Sequence, residues 1–251
     1  MYILGINAFH GDVSAVLLRD GELVAAVEEE RFRRVKHYAG FPAESIRRVL
    51  EMAGIAGGDV AHVAISRDPR AHLVRKALFA LRRLPRRDLV RDRIRNARSV
   101  MGMDAPLADA LGVRKLPPVH HVEHHPSHLA SAFFASPFRD AAVCAIDGFG
   151  DFVSTSTARG EGNRLRVLDR VFFPHSLGLM YTAVTQHLGF PHFGDEFKVM
   201  GLAPYGTPDR VDKVRRLVRL KPGGGFELNL KYFRHATEGV EMTWDEGLPT
   251  L

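Results

Sequence analysis

The chain has 251 residues, of which 45% are hydrophobic and 25% are charged, and its formal net charge is +6. This composition is typical of a soluble globular protein with one large domain or two small ones. No apolar run reaches the length of a membrane span, and the single cysteine, Cys144, excludes an intrachain disulfide. Because the N-terminus also lacks the pattern of a signal peptide, we expect a cytoplasmic protein with no membrane partner.

The positive charge is concentrated in one segment, from Arg67 to Arg98. This segment contains twelve basic and three acidic residues, so the rest of the chain is slightly acidic. A basic helical stretch can bind nucleic acid or an acidic partner, but a solvated pair of helices has the same composition. Since no recognisable nucleic-acid-binding module accompanies it, nucleic acid is not an expected partner.

The first half of the chain predicts short strands that alternate with helices. Gly54 follows a run of helical periodicity and is expected to close that helix, and Pro85 is expected to break the basic helical segment. Strands are predicted at Tyr2–Asn7, Val13–Leu18, Leu23–Glu29, Val60–Ile65 and Val119–Val122, and helices after Phe41-Pro42, around Ala105–Leu111 and from His124 or Pro126.

The second half repeats part of this pattern. Strands are predicted at Ala141–Ile146, Phe152–Ala158 and Leu165–Phe173, followed by a helix at Leu177–Leu188. In both halves a strand delivers a polar residue, Asn7 or Asp147, to a turn of small residues, and two more strands follow. We interpret this as two like subdomains that face a cleft, although any two strand meanders share some of these features.

The strongest chemical motif is a pair of histidines followed by an aspartate. His124 and His128 are four residues apart, which stacks two imidazoles on one face of a helix. Asp147 follows a predicted strand and can supply a third ligand. Two imidazoles and a carboxylate suit iron, zinc or manganese, so a metal site is predicted, with packed core histidines as the alternative.

A second motif overlaps the first. The segment from His120 to His124 matches the inverted zinc-protease pattern His-x-x-Glu-His. That chemistry needs a helix, whereas Pro117-Pro118 and the strand-like residues after them disfavour one. We therefore expect His120, His121 and His125 to be rim residues rather than ligands.

Other residues suit a site for an anionic substrate. His10 and Lys36 are predicted on loops, where they can steer negative charge or move protons, or can simply be solvated. The turn with Gly148 and Gly150 lets backbone N–H groups approach a phosphate, although hairpins use the same residues. Lys198 and Gly201 lie in a helix that Gly201 weakens, which indicates either a close backbone approach or a helix terminus.

Five ordered motifs together resemble one family, the O-carbamoyltransferases that include the nodulation-factor, cephamycin and tobramycin carbamoylating enzymes. The motifs are Gly5–His10 with Ser14-Ala15, Glu29–Phe32 through Lys36-His37 and Phe41-Pro42, His124-x3-His128-x-Ala130-Ser131-Ala132, Asp147-Gly148-x-Gly150, and Lys198–Gly206. The resemblance covers residues 1 to about 247. It implies an α/β, actin-like (ASKHA or RNase H-like) fold of duplicated subdomains, similar to that of the tRNA threonylcarbamoyl transferases.

The resemblance also implies a reaction. In this family a carbamoyl group passes from carbamoyl-adenylate to a substrate hydroxyl, here one on a natural product or sugar, and a separate C-terminal domain makes the adenylate from carbamoyl phosphate and ATP. Carried over by motif, His124, His128 and Asp147 would hold Fe(II) or another divalent metal. His10 and Lys36 would act as catalytic residues beside the carbamoyl group, and Gly148, Gly150, Lys198 and Gly201 would line the nucleotide site.

The chain departs from the family pattern in length. We expect a first subdomain at residues 1–138 and a truncated second subdomain at residues 139–251, in an N-terminal portion that lacks the adenylate-forming domain. The partners implied are a small-molecule hydroxyl acceptor, with carbamoyl phosphate and ATP bound through that missing domain. The alternative is a non-catalytic, nucleotide- or partner-binding fragment of an actin-like protein.

Overall fold

A computed structural model of the chain describes residues 1–241, 243–245 and 248. Residue contacts divide it into two compact units, Met1–Arg70 with Arg91–His124, and Ala71–Val90 with His125–Leu251. The predicted division at residues 138 and 139 refers to the duplicated strand pattern rather than to these contacts, and it stays a prediction.

The secondary structure follows the predicted order closely. The strands are β1 (Tyr2–Asn7), β2 (Ser14–Arg19), β3 (Glu22–Glu28), β4 (Val60–Ile65), β5 (Val119–His121), β6 (Asp140–Gly150), β7 (Val153–Glu161), β8 (Arg164–Phe172), β9 (Val218–Leu220) and β10 (Phe226–Leu228). The helices are α1 (Glu30–Arg33), α2 (Ala43–Ala53), α3 (Leu73–Arg83), α4 (Arg87–Met101), α5 (Asp104–Leu111), α6 (His124–Phe134), α7 (Leu177–His187), α8 (Glu196–Leu202), α9 (Val211–Val214) and α10 (His235–Glu238).

The first unit is built on a five-stranded sheet in the order β3-β2-β1-β4-β5. Strands β1, β2 and β3 form an antiparallel meander, and β4 and β5 extend it in parallel. Parallel strands need crossover connections, which the helical segments between β3, β4 and β5 provide. This topology confirms the predicted α/β class and its actin-like arrangement.

Helix α2 covers the first sheet, as its periodicity predicts. Its residues Ile46 and Val49 are fully buried in the core that contains Leu4 of β1. Glu29, also fully buried, accepts hydrogen bonds of 2.8 Å from both the backbone N–H and the hydroxyl of Ser45. A carboxylate at the first turn of a helix interacts favourably with its dipole, so Glu29 fixes the start of α2.

The second unit contains a three-stranded antiparallel sheet in the order β6-β7-β8. Helix α6 packs against it through Leu129 and Phe133, which share a buried cluster with Val143. A Cβ at Gly160 would lie 2.5 Å from the Phe133 ring, so this glycine of β7 lets the helix approach the sheet. The hairpin β9–β10 and the helices α9 and α10 are additional elements that the sequence patterns did not predict.

The basic segment forms α3 and α4 with the break at Pro85 that was predicted; α3 buries no residue and α4 buries only Val100. Cys144 is exposed, because it alternates along β6 with the buried Val143 and Ala145. Among the described residues, no helix combines the length and apolar character that a membrane crossing requires.

Candidate metal centre

Helix α6 presents the two predicted histidines one turn apart. His124 is its first residue and His128 lies in its second turn, so one helix carries both imidazoles on one face. The side chain of His128 is 49% exposed, whereas Leu129, the next residue, is fully buried against the sheet. The helix therefore packs on β6 while its histidine pair remains accessible to a ligand.

Asp147 lies in an irregular part of β6 rather than at the strand end that was predicted. The ladder with β7 pairs Ile146 with Thr155 and resumes only where Gly150 pairs with Val153. An irregularity of this kind bends a strand and redirects its side chains. The backbone N–H of Gly148 donates to Oδ1 of Asp147 at 2.6 Å, which leaves lone pairs of the carboxylate for other partners.

The start of helix α7 supports this bulge. Ser176 caps the helix by accepting a hydrogen bond from the Leu179 N–H, and its hydroxyl donates to the backbone oxygen of Asp147 at 3.0 Å. A Cβ at Gly178 would lie 2.6 Å from the backbone nitrogen of Gly148, so no larger residue fits there without movement. Sequence reasoning missed both Ser176 and Gly178; the serine directly before a helical run was the available signal.

The three predicted ligands come together. His124, His128 and Asp147 each offer a ligand atom, and these atoms all lie within 4.8 Å of one another. Nε2 of His128 and Oδ2 of Asp147 are 3.9 Å apart. Two ligands bound about 2.1 Å from one ion can be at most about 4.2 Å apart, so small side-chain rotations would bring all three onto a common ion. This donor set suits iron, zinc or manganese.

The two predicted catalytic residues both lie in the first unit. His10 follows β1, and the centroid of its ring is 5.7 Å from that of His124. Its Nδ1 lies 3.4 Å from the carbonyl oxygen of Gly11, a contact that favours the tautomer with the proton on Nδ1. Lys36 lies in the exposed loop that follows α1. The roles of both residues stay predictions.

The predicted nucleotide-site residues occupy two separate elements. Gly148 and Gly150 lie in β6, where a Cβ at Gly148 would meet no atom within 4 Å. Lys198 of α8 forms an ion pair of 2.6 Å with Asp195, and this hydrogen bond holds the pKa of Asp195 below its usual value. A Cβ at Gly201 would also meet nothing within 4 Å, so no close approach of the described residues explains that glycine.

The remaining histidines of the motif differ from one another. His120 is exposed on β5 beside His62, and His121 lies 3.1 Å from the carbonyl oxygen of Arg67. Both belong to a strand, which is why the inverted protease motif cannot align its histidines. His125, in contrast, was expected at a rim but is 1% exposed, because it lies on the face of α6 opposite to solvent.

The sequence also matches one family model. Residues 2–245 match the family described as Carbamoyltransferase N-terminus. The chain belongs to this family. The match includes both elements that build the candidate metal centre, α6 and β6.

Relatives of this carbamoyltransferase N-terminus extend the match to longer proteins. The protein sll1178 of Synechocystis sp. is 42% identical over 96% of this chain and 41% of its own length. The nodulation protein NolNO of Sinorhizobium fredii is 36% identical over 89% of this chain and 32% of its own length. The chain thus spans less than half the length of these relatives.

Solved structures give a more distant similarity. YeaZ from Pseudomonas aeruginosa has a TM-score of 0.39 and 17% sequence identity over 69% of this chain and 67% of that protein.

Proposed function

We propose that this carbamoyltransferase N-terminus transfers a carbamoyl group from carbamoyl-adenylate to a hydroxyl group of a small molecule of natural-product or sugar type. The adenylate would come from carbamoyl phosphate and ATP. The observation that carries the proposal is the cluster of His124, His128 and Asp147 in a chain of this family. The ring contact between His10 and His124 supports a second functional group beside that cluster.

The reaction requires one bond to form and one to break. The acceptor oxygen bonds to the carbamoyl carbon, the bond from that carbon to the adenylate phosphate oxygen breaks, and AMP leaves with the electron pair. His10 accepts the hydroxyl proton as a neutral imidazole, and its Nδ1 contact with the Gly11 carbonyl oxygen orients the ring. The ammonium group of Lys36 offsets the negative charge of the adenylate phosphate.

The metal site adds electrostatic stabilisation. Fe(II) or another divalent ion held by His124, His128 and Asp147 would act as a Lewis acid toward a phosphate or carbonyl oxygen. Because imidazole nitrogens bind a metal only when they are neutral, metal affinity should fall at acidic pH.

The test is a transfer assay on the full-length protein with carbamoyl phosphate, ATP and a panel of sugar and natural-product alcohols. We expect AMP and a carbamoylated product, detected by mass spectrometry, and at least about a hundredfold loss of rate in His10→Ala. His62→Ala is the matched control, because His62 is a half-buried histidine of β4 that lies beside His120.

The outcomes separate this function from the alternative of a non-catalytic binding fragment. Nucleotide or metal binding without any carbamoylated product, over the whole alcohol panel, would favour the fragment. Product formation that is unchanged in His10→Ala would support the transfer but contradict the role given to His10.

A further inference from the structure

The second unit contains a cavity that the proposed reaction does not use. Its volume is about 1110 Å³, and its walls are helix α3, the end of strand β8 with the residues after it, and the turn of the β9–β10 hairpin. We call it the α3 pocket. All of its lining residues belong to the second unit. A volume of this size is slightly above the range of about 300–1000 Å³ that is typical of sites for small organic molecules, so the pocket has room for one.

One face of α3 lines the pocket with cations and an aromatic ring. Arg75, Phe79, Arg82 and Arg83 are spaced so that they share one side of the helix. The Arg75 guanidinium lies 4.0 Å from the centre of the Phe172 ring, a cation–π contact. Part of the basic segment therefore lines a defined cavity.

Aromatic rings form the inner wall. The Phe79 ring packs edge-on against Phe152 and Phe173, with centroid distances of 5.5 and 5.2 Å. Phe172 adds the ring beneath Arg75. These rings come from α3, the β6–β7 turn, and the end of β8 with the residue after it, so tertiary packing assembles an apolar surface that can hold a flat ring.

The hairpin turn offers backbone groups to the pocket. Gly223, Gly224 and Gly225 all have positive φ, at 81°, 106° and 74°. A Cβ at Gly223 or Gly224 would meet nothing within 4 Å, so the side of the turn that a side chain would fill is open. The N–H of Gly224 donates to the carbonyl oxygen of Lys221, so the N–H groups that such a turn can bring close to an anion are those of Gly223 and Gly225.

The charges of the lining do not balance. Five cations, Arg75, Arg82, Arg83, Arg170 and Lys221, face two carboxylates, Asp169 and Glu227. Glu227 is already paired, since Lys221 lies 2.9 Å from it and Arg219 also contacts it. The hydrogen bond from Lys221, followed by that from Arg219, lowers the pKa of Glu227 to about 2. The pocket therefore keeps a net positive charge when Glu227 is ionised.

His175 adds a neutral donor. Burial is the largest factor that lowers its pKa, and the nearby cations Lys221 and Arg83 act in the same direction. The backbone N–H of Leu228 donates to His175 Nδ1 at 3.1 Å, so the ring proton of the neutral form is on Nε2. The lining thus combines a hydrogen-bond donor with the cations.

We propose that the α3 pocket binds a small phosphate monoester that carries a flat apolar ring. Arg82, Arg83 and Lys221 would bind the phosphate, together with the backbone of the glycine turn. The phenylalanine wall would hold the ring. This site uses none of the residues of the candidate metal centre and does not depend on carbamoyl transfer.

Isothermal titration of the full-length protein with phenyl phosphate tests the proposal. The protein used in this titration carries His128→Ala, so that no metal ion at the candidate metal centre can bind the phosphate. We expect saturable binding to a site that the double variant Arg82→Gln/Arg83→Gln weakens by at least about tenfold, because each arginine supplies a charge-assisted hydrogen bond. Both arginines are exposed on α3, so the variant should keep its fold, as circular dichroism would verify.

The matched control is Arg87→Gln/Arg91→Gln. It removes the same charge from exposed positions of α4 that do not line the pocket. Inorganic phosphate should bind more weakly than phenyl phosphate because it lacks the ring. Phenol should bind weakest because it lacks the phosphate.

Four results would overturn the proposal. These are no saturable binding of phenyl phosphate, equal weakening by the two double variants, inorganic phosphate binding as tightly as phenyl phosphate, and displacement of phenyl phosphate by a single-stranded oligonucleotide with a steep salt dependence. The last result would assign the basic segment to nucleic acid.

Discussion

The two sheets start with the same element but use it differently. Strands β1–β3 and β6–β8 are both antiparallel meanders, and the first strand of each carries a polar residue near its end, Asn7 or Asp147. Nδ2 of Asn7 donates to the carbonyl oxygens of Gly11 and Asp12, at 3.2 and 3.0 Å. Asp147 instead lies beside two imidazoles that can share a metal ion with it.

This difference shows how one side-chain atom separates a structural turn from a candidate binding site. A side-chain amide supplies N–H donors, which can bond to backbone carbonyl oxygens of the adjacent turn. An ionised carboxylate has only acceptors, so it needs a cation or N–H groups nearby. The backbone pattern was predicted to be shared. The chemistry depends on α6 lying next to β6, which brings the histidines to the aspartate.

The largest effect is expected from Asp147→Asn, which gives the second meander the amide of the first. Loss of the charged ligand should weaken metal binding by at least about a hundredfold, measured by chelator competition and by metal content. Asp140→Asn is the control, since Asp140 is exposed at the start of the same strand. Equal affinity in the two variants would contradict the assignment of Asp147 as a ligand.

Gly178→Ala tests whether α7 supports the bulge. The new Cβ would lie 2.6–2.7 Å from backbone atoms of Asp147 and Gly148, so the free energy of unfolding should fall by about 1–3 kcal/mol, and metal affinity should fall with it. Chemical denaturation and metal titration measure the two effects. The control is Gly201→Ala on α8, where the Cβ meets nothing within 4 Å and should stabilise the helix by up to about 1 kcal/mol.

The reverse exchange, Asn7→Asp, gives the first meander the carboxylate of the second. It removes two N–H donors, so the free energy of unfolding should fall by about 1–2 kcal/mol, while the metal content stays unchanged. Asn163→Asp in the exposed β7–β8 turn is the control. A second equivalent of metal in Asn7→Asp would mean that the carboxylate alone is sufficient, which would break the comparison.

The smallest effect is expected from Glu227→Gln, which removes an ion-paired carboxylate from the β9–β10 hairpin. The pKa of Glu227 is lowered from 4.5 to about 2 in the β9–β10 hairpin, so its ion pairs stabilise the fold above about pH 4.5 and are lost as the pH falls through 2. Above about pH 4.5, the free energy of unfolding of the wild type should exceed that of Glu227→Gln by at most about 1 kcal/mol, because the ion pair is near the surface. This difference should shrink as the pH falls toward 2. The control in the same acid-denaturation measurement is Glu22→Gln, an exposed glutamate in the β2–β3 hairpin of the first unit.

Local patterns were sufficient for most of the fold. The strands β1 and β4 were predicted with their observed bounds, and α2 ends where Gly54 adopts a left-handed conformation. These features depend on neighbours within a few residues. The β9–β10 hairpin was missed because its strands have only three residues each and are stabilised by packing of Phe226 and Leu228 into a core. Such short segments carry little periodicity of their own.

By itself, the sequence determined that His124 and His128 share a helical face, since the pitch of a helix sets that spacing whatever surrounds it. It also determined the two meanders and the break at Pro85. Only the tertiary structure decided that Asp147 lies within reach of those histidines, that Gly178 supports it, and that three arginines of α3 face a wall of phenylalanines. Distances between segments far apart in the chain depend on how side chains pack, and that packing cannot be derived from local spacing.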